Sequence, residues 1–504
     1  MCGIAGLAGP DASRHQATVE AMGHSQHHRG PDGSRHTAAE DGRAVLAMNT
    51  LLVVDPHAMP GPYLDPESGI LLAFNGEIYN FRQQAAAWGI DLRIHETDAH
   101  LLMRAWAKFG PSCLDGLDGM FALALYDPRE AKLFLARDRL GEKPLYWHLD
   151  GSRLAFASEV TALVGYGRAS LVLRPEMVAI ETPTGTDTPF QGFQLLAPAT
   201  LLSFDVATGS IDQMTWWCLE HWPPFSGAYS EALAKYSTLL AEQLPLRAPA
   251  CDFALLLSGG MDSSVLAYLL RPPVCVTVRY PGHERLDESH IAIQIAADIG
   301  AELLVVEPGH VDFTEVLPHM MTALDYPMGN ASTFSEYMAY RKIAELGLRV
   351  VIGGLGPDEF LMGYVRHALV LFGADAVLAA GLDAYRPLAA KLMHADEDLA
   401  PVDAATRLIL RGPDPHGRIH DLVAAAFTRG GGDPARGLTL ADLATAWRPL
   451  VMTSDKLASA FALERRSPYL ARDLVELSYR LPAEYKIADP AQGKRVLRDA
   501  AKSS

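Results

Sequence analysis

The chain has 504 residues, 49% of them hydrophobic and 20% charged, with a formal net charge of −17. That length exceeds one core and allows about two to four domains. The acidic balance excludes a general affinity for nucleic acid or an anionic membrane, so an anionic ligand needs a local positive site. Five widely spaced cysteines, Cys2, Cys113, Cys218, Cys251 and Cys275, include no Cys-x-x-Cys pair and fit a reducing cytosol, hence a cytoplasmic protein. No basic segment followed by an apolar core opens the chain, and the most apolar long stretch, around Ala368 to Ala380, is broken by Asp375, which argues against export and a membrane span.

In chain order, the opening Met1-Cys2-Gly3-Ile4-Ala5-Gly6 comes first. Removal of Met1 would leave a thiol and an α-amine on one residue, so that Cys2 could be nucleophile and base together. Short apolar runs at Ala44–Ala47, Leu51–Val54, Gly69–Phe74, Phe121–Tyr126, Lys132–Ala136 and Arg153–Phe156 alternate with turn residues and predict a largely antiparallel sheet region with a helix near Ala99–Phe109. The breaker-rich segment Glu220 to Ala228 reads as a connection between domains 1–215 and 225–504. Beyond it, strand-like runs at Phe253–Leu257, Val274–Val278, Leu303–Val306 and Val350–Ile352 alternate with helical patterns at Ser263–Leu270, His290–Ile299 and Thr333–Leu346, which predicts a parallel α/β sheet. From Phe372 to Trp447 the pattern is helical, interrupted by the glycine-rich loop Thr428–Pro434.

In the first region Arg29-Gly30-Pro31-Asp32, Asn75-Gly76-Glu77-Ile78-Tyr79-Asn80 and Thr97-Asp98 set polar residues at turns or strand ends. Asn75 and the Gly76 N–H are suitable donors for a tetrahedral oxyanion, although Asn-Gly in isolation is a hairpin turn. Together with Asp118–Asp127, Arg137–Tyr146 and Phe156–Glu159, these motifs resemble the class II, N-terminal-nucleophile glutamine amidotransferase domain in the form found in asparagine synthetases. The resemblance implies an αββα sandwich in which Cys2 attacks the glutamine amide, Asn75 and Gly76 hold the oxyanion, and Glu77, Asp98 and Arg29 bind the substrate. Thr50 stands where the family has the arginine for the glutamine α-carboxylate, and a hydroxyl cannot replace a bidentate guanidinium.

The run Phe253 to Ser264 passes from a strand through Ser258-Gly259-Gly260-Met261-Asp262-Ser263-Ser264 into a helix, and its N–H groups suit a phosphate. It resembles the pyrophosphate loop of ATP pyrophosphatases, and the likeness continues through Leu286–Ser289, Ala331–Thr333, Gly354–Glu359, Glu464–Tyr469 and Lys494–Arg498. This implies an α/β synthetase domain with a helical C-terminal part. ATP would bind at Leu256, Ser258, Gly259, Gly260, Asp262, Ser263, Ser264, Val278 and Gly354, Mg²⁺ at Asp262 and Asp358, and Lys494 would act catalytically. The family glutamate of Gly-Glu-Gly-x-Asp-Glu is Leu355 here, and related β-lactam synthetases carry tyrosine there. The sequence stops at Ser504, soon after Arg498, where most relatives continue, so it reads as truncated or naturally short.

The expected activity is amide formation from glutamine, ATP and a small carboxylate, with no nucleic-acid or membrane partner and a homodimer open as the assembly. An intramolecular cyclase resembling β-lactam or lasso-peptide synthetases, and a glutamine- or nucleotide-binding regulator with little turnover, remain as alternatives. His95-Glu96 lacks the second histidine of a zinc helix, since position 99 is alanine; His27-His28 reads as solvated turn; Trp216, Trp217 and Trp222 read as interface packing; Arg465 and Arg466 either meet an anionic substrate or cap a helix.

Overall fold

The computed structural model describes all residues except 1, 168–169, 173, 283–286, 327–331, 394–398 and 504. Met1 of the opening motif, Leu286 and Ala331 therefore lie outside the described residues.

The first half contains twelve strands among the described residues: β1 (Gly3–Ala8), β2 (Gly33–Ala38), β3 (Ala44–Thr50), β4 (Tyr63–Leu64), β5 (Leu71–Ile78), β6 (Gly119–Asp127), β7 (Lys132–Arg137), β8 (Tyr146–Asp150), β9 (Arg153–Ala157), β10 (Gln194–Leu195), β11 (Thr200–Asp205) and β12 (Ile211–Thr215). They form two antiparallel sheets, ordered β10-β8-β9-β1-β3-β2 and β12-β11-β7-β6-β5-β4. On β6, Ala122, Ala124 and Tyr126 face the core between the sheets with Ile4, Leu46 and Leu133, whereas Phe121, Leu123 and Leu125 face Leu101, Leu102 and Trp106 of the helix Asp98–Phe109. The helix Gln16–Ser25 covers the first sheet through Val19 and Met22. Strands buried on both faces read as continuous apolar runs rather than alternating ones, and the layers are αββα.

Leu51–Val54 corrects the reading of those residues as a strand. The ladder ends at Thr50, and residues 51–54 form a loop tied down where Leu52 N–H donates to Asp32 Oδ2 at 2.8 Å. The strand read over Gly69–Phe74 instead starts at Leu71 and continues to Ile78, so Asn75 and Gly76 pair with Ala122 and Phe121 in mid-ladder and are not a hairpin turn. Gly76 is required there, because a Cβ would sit 2.1 Å from Met120 O.

In the second half, β13 (Ala254–Leu256), β14 (Val274–Val278), β15 (Glu302–Val306), β16 (Val350–Ile352) and β17 (Glu464–Arg466) form a parallel sheet ordered β15-β14-β13-β16-β17. Leu255, Cys275 and Ile352 pack on the helices Met261–Leu270, Ser289–Ile299 and Arg495–Ser503. Ala254, Val276 and Val351 pack on the opposite face, with Tyr340 and Leu457. The chain leaves β13 toward β14 and β15, then returns to β16 on its other side. That reversal puts a crevice at the carboxyl ends of β13 and β16, the position where ligands bind open α/β sheets. Helices fill most of the stretch from Val365 to Ser459, and the glycine-rich loop ends at Asp433, which caps Pro434–Thr445 by accepting from Ala435 and Arg436 N–H.

Candidate active sites

Cys2 precedes the central strand β1 of one sheet, and Asn75 projects from β5 of the other. The Cys2 N–H donates to Asn75 Oδ1 at 2.9 Å. That bond fixes the amide and leaves Asn75 Nδ2, buried and without a protein partner, as an unspent donor beside the thiol. Gly76 lines the same pocket with the loop 51–55, Tyr63, Glu77, Asp98 and Glu464. Asp98 opens its helix behind a Thr97 capping box and accepts from Ile78 N–H at 2.9 Å and Ala99 N–H at 3.0 Å, which joins the end of β5 to the helix start.

Burial pushes the Cys2 thiol up, against a backbone N–H from Leu51. Left alone, such a thiol is unreactive and needs a neighbouring base. Burial lifts Glu77 to about 8 although Arg466 opposes it, and lifts Asp98 to about 6 against the N–H groups of Ile78 and Ala99. Glu464 is buried too, yet the surrounding cations, Arg466 among them, hold it at about 2. Arg466 Nε lies 2.7 Å from Glu464 Oε1, and its terminal nitrogen lies 3.2 Å from Glu77 Oε2. Thr50 also lines the pocket, with a buried, unpaired hydroxyl.

Arg29 does not join this pocket, contrary to expectation. Its fully buried guanidinium donates to Cys2 O (3.1 Å), Glu159 Oε1 (3.1 Å), Ser459 Oγ (2.9 Å) and Asp455 Oδ2 (2.7 Å), and so fastens the Cys2 backbone to the second half. Lys143 meets the other oxygen of Asp455 at 3.1 Å.

At the second centre, Ser258 to Ser264 turn from β13 into the helix Met261–Leu270. Gly259 adopts φ +82°, and a Cβ there would meet Glu288 O at 2.8 Å. Ser263 Oγ lies 3.1 Å from Ser258 Oγ, and Ser264 Oγ donates to Gly260 O at 2.8 Å, so the loop's hydroxyls brace its own backbone. Leu256 and Val278 end β13 and β14 at the same crevice, and Gly354 follows β16 against Asp262. Lys494 Nζ bridges Asp262 Oδ2 (2.6 Å) and Asp358 Oδ1 (2.8 Å). Its φ of +59° is uncommon for a side-chain-bearing residue and marks a position fixed by its surroundings. Burial raises Asp262 to about 6 despite Lys494, and its Oδ1 is buried and without a partner. An orphaned carboxylate oxygen near a second carboxylate fits Mg²⁺, which binds through one or two carboxylates plus phosphate oxygens.

Sequence reasoning left the role of β17 open, and the structure shows what links the centres. Side chains alternate along a strand. Glu464 lines the Cys2 pocket and Arg466 reaches Glu77, while Arg465 and Ser467 line a small cavity with Leu355, Glu142, Lys143 and Asp455. The polar run Glu464-Arg465-Arg466-Ser467 in a strand was the available signal. The remaining candidates are structural. His95 pairs with Asp55 (2.7 Å) and Glu96 with Arg104 (2.6 Å), His28 meets Glu159 (3.0 Å) and His27 meets Ser34 (3.0 Å). Trp217 Nε1 donates to Glu476 across the junction (2.9 Å), Trp216 stacks on Phe121 and under Arg139, and Trp222 is partly exposed. No helix of the described residues is long and apolar enough to cross a membrane.

Residues 1–217 match the family model described as a glutamine amidotransferase domain, and residues 249–503 match the model described as asparagine synthase. Two such domains in one chain define a glutamine-hydrolysing ligase that forms C–N bonds. The chain belongs to the asparagine synthase family. It is similar to a protein named "Putative asparagine synthetase [glutamine-hydrolyzing]" in Mycobacterium tuberculosis, at 27% identity over 97% of this chain and 83% of the relative. It is also similar to asparagine synthetase B of Escherichia coli (27% identity, 72% of this chain, 65% of the relative) and asparagine synthetase 2 of Oryza sativa (29%, 72% and 60%). Among solved structures, a glutamine phosphoribosylpyrophosphate amidotransferase from B. subtilis aligns at 15% identity over 70% of this chain and 74% of that one, with a TM-score of 0.33.

Proposed function

We propose that the protein joins ammonia from glutamine to a carboxylate that it first adenylates with ATP, releasing AMP and pyrophosphate. In the first half the Cys2 thiol attacks the amide carbon; the α-amine freed by loss of Met1 takes the thiol proton, and Asn75 Nδ2 with Gly76 N–H stabilises the oxyanion. Glu77 and Asp98 offer carboxyl groups to the substrate α-ammonium.

In the second half the Ser258–Ser264 loop receives the phosphates, and the substrate carboxylate displaces pyrophosphate from the α-phosphate. Lys494 lies between Asp262 and Asp358, where it neutralises the charge that develops on the phosphate oxygens. Asp262 and Asp358 would hold magnesium, which would supply positive charge to offset that of the phosphates. The observation that carries the reading is β17, whose alternate side chains face the Cys2 pocket and the Leu355 cavity, so both reactions share one wall. A domain division near 1–215 and 225–504, a cytoplasmic location and an acceptor other than aspartate, the last suggested by Leu355, belong to the same proposal.

The test is incubation with ATP, Mg²⁺ and a panel of carboxylates beginning with L-aspartate, with and without glutamine or ammonium, reading pyrophosphate, glutamate and product mass. Amide made with glutamine supports the reading, and Cys2→Ala should abolish glutamine use while sparing ammonium use. Equal loss of both would sink the division of labour. A cyclase, which Thr50 favours by removing the carboxylate anchor for glutamine, would instead yield a product lighter by one water without a nitrogen donor.

A further inference from the structure

Leu355 leaves a chemical gap: a neutral alkyl side chain stands where the nitrogen nucleophile must lose a proton. The cavity at Leu355 has a volume of only ≈ 10 Å³, room for about one water-sized molecule, and ammonia is that size. Two carboxyl-bearing residues line it. Asp455 is spoken for, with Arg29 at 2.7 Å on one oxygen and Lys143 at 3.1 Å on the other. Glu142 is different. Its backbone N–H is fixed by Asp138 at 2.9 Å, but its carboxyl has no hydrogen bond or ion pair among the described residues. It comes from the glutaminase half and meets Leu355 from across the domain junction.

The wall of that cavity adjoins the nucleotide loops. Arg465, on its wall, packs so closely over Gly353 that a Cβ there would lie 2.3 Å from the guanidinium, and the next residue, Gly354, abuts Asp262. We propose that Glu142 is the proton acceptor for the amine at the second centre, supplying from the first domain the base that Leu355 cannot. The inference rests on the function proposed above. Ammonium entering the cavity gives one proton to Glu142; the nitrogen lone pair so freed forms the C–N bond to the acyl carbon of the adenylate, and the second proton leaves with the departing phosphate. The C–O bond to phosphate then breaks with its electron pair, AMP leaves, and Glu142 returns its proton to solvent.

Electrostatics agree. Burial first, and then Asp138, push Glu142 up to about 8, against Lys143, Arg247 and Arg465. A carboxyl poised near neutrality can both take and return a proton at the operating pH. Glu336, which also senses Arg465, is a rival carboxyl, but its Oε2 already accepts from Ser454 (3.2 Å) and Tyr340 (3.4 Å), and it does not line the cavity.

The test compares wild type, Glu142→Gln, Glu142→Asp and Glu336→Gln, using whichever panel acid releases pyrophosphate. Glu142→Gln should still form pyrophosphate and still make hydroxamate from hydroxylamine, which is neutral at pH 7. Amide formation from ammonium should fall by about 10²-fold or more, recover as rising pH supplies free ammonia, and return in part in Glu142→Asp. Glutamate release through Cys2 reports that each variant is folded. A Glu142→Gln enzyme that makes amide from ammonium at the wild-type rate, or a Glu336→Gln enzyme that shows the same selective loss, overturns the assignment while leaving the function intact. Absence of pyrophosphate from wild type with every acid refutes the function, and the assignment with it.

Discussion

Thr50→Arg is the perturbation that most directly probes the first pocket. Thr50 ends β3 with a buried and unpaired hydroxyl, and four acidic residues line its pocket, Asp55, Glu77, Asp98 and Glu464, with the Arg466 guanidinium held behind Glu77 and Glu464. Glutamine brings an α-ammonium that those carboxyls can hold and an α-carboxylate with no cation of its own, since both Arg466 contacts are taken and Arg29 is turned toward Asp455. A charge-assisted hydrogen bond contributes about 1.5–3 kcal/mol, and each 1.4 kcal/mol is tenfold in affinity. An arginine at position 50 should therefore lower KM for glutamine by about 10- to 100-fold, with the lower end expected because Glu464 competes for the new guanidinium. Initial rates of glutamate release against glutamine concentration measure it, with thermal melting to confirm that the longer side chain is accommodated. A well-folded Thr50→Arg enzyme whose KM is unchanged would show that the α-carboxylate is held elsewhere, and the account of this pocket would be wrong.

Asn75→Ala removes the free Nδ2 donor together with the acceptor of the Cys2 N–H, and should cut kcat for glutamine hydrolysis by about 10²–10³-fold while leaving ammonium-dependent synthesis intact; loss of both activities would point to misfolding. Arg29→Met should uncouple the halves, because Glu159 and Asp455 keep only His28 and Lys143 as partners; a stability loss of about 3–5 kcal/mol is expected, with glutamate produced in excess of pyrophosphate. A melting temperature equal to wild type would refute that. Lys486 is fully buried, and burial lowers it from 10.5 to about 7. Between those values the unfolded lysine is protonated and the folded one is not, so the unfolded state binds more protons and stability rises with pH across that window. Below pH 7 the penalty is fully present, an upper limit of about 5 kcal/mol from the shift, so Lys486→Met should raise the melting temperature more at pH 6 than at pH 10. Equal gains at both would contradict it.

The sandwich was legible as a class but not strand by strand. Runs such as Phe121–Tyr126 betray strands because both faces are covered, while β1 and β2, with their glycines and polar residues, show no comparable run. Leu51–Val54 misled for the opposite reason: four apolar residues in a row suggest a strand, but here they wall a pocket, and apolarity alone does not distinguish a sheet from a substrate cavity. Asn75-Gly76 carries turn chemistry locally, and only long-range pairing with Ala122 and Phe121 makes it strand. The amidotransferase and phosphate-loop motifs were readable because each is a short ordered run, whereas the contact of Lys494 with both Asp262 and Asp358 was not, since it joins three separate segments. The position of Arg29 was not, since its partners lie up to 430 residues away in the chain.

That long-range knot bears on how two reactions stay in step. Replacing buried ion pairs by apolar groups is often neutral or stabilising, so the Arg29–Asp455–Lys143 cluster is weak evidence for stability. What it does provide is registration. Asp455 sits on the helix Trp447–Ser459, which also carries Val451 and Ser454 of the Leu355 cavity, and the same Arg29 holds the carbonyl of Cys2. A displacement of the Cys2 backbone is therefore shared, through one guanidinium, with the wall of the Leu355 cavity. Arg466 makes the second such connection, between Glu77 of the glutamine pocket and the strand that bears Arg465. With charges this deeply buried, sliding one half against the other would strand at least one unpaired ion at several kcal/mol, roughly the cost of breaking such a pair. The two halves are thus held to a single alignment, in which the Cys2 pocket and the Leu355 cavity lie on either side of one strand.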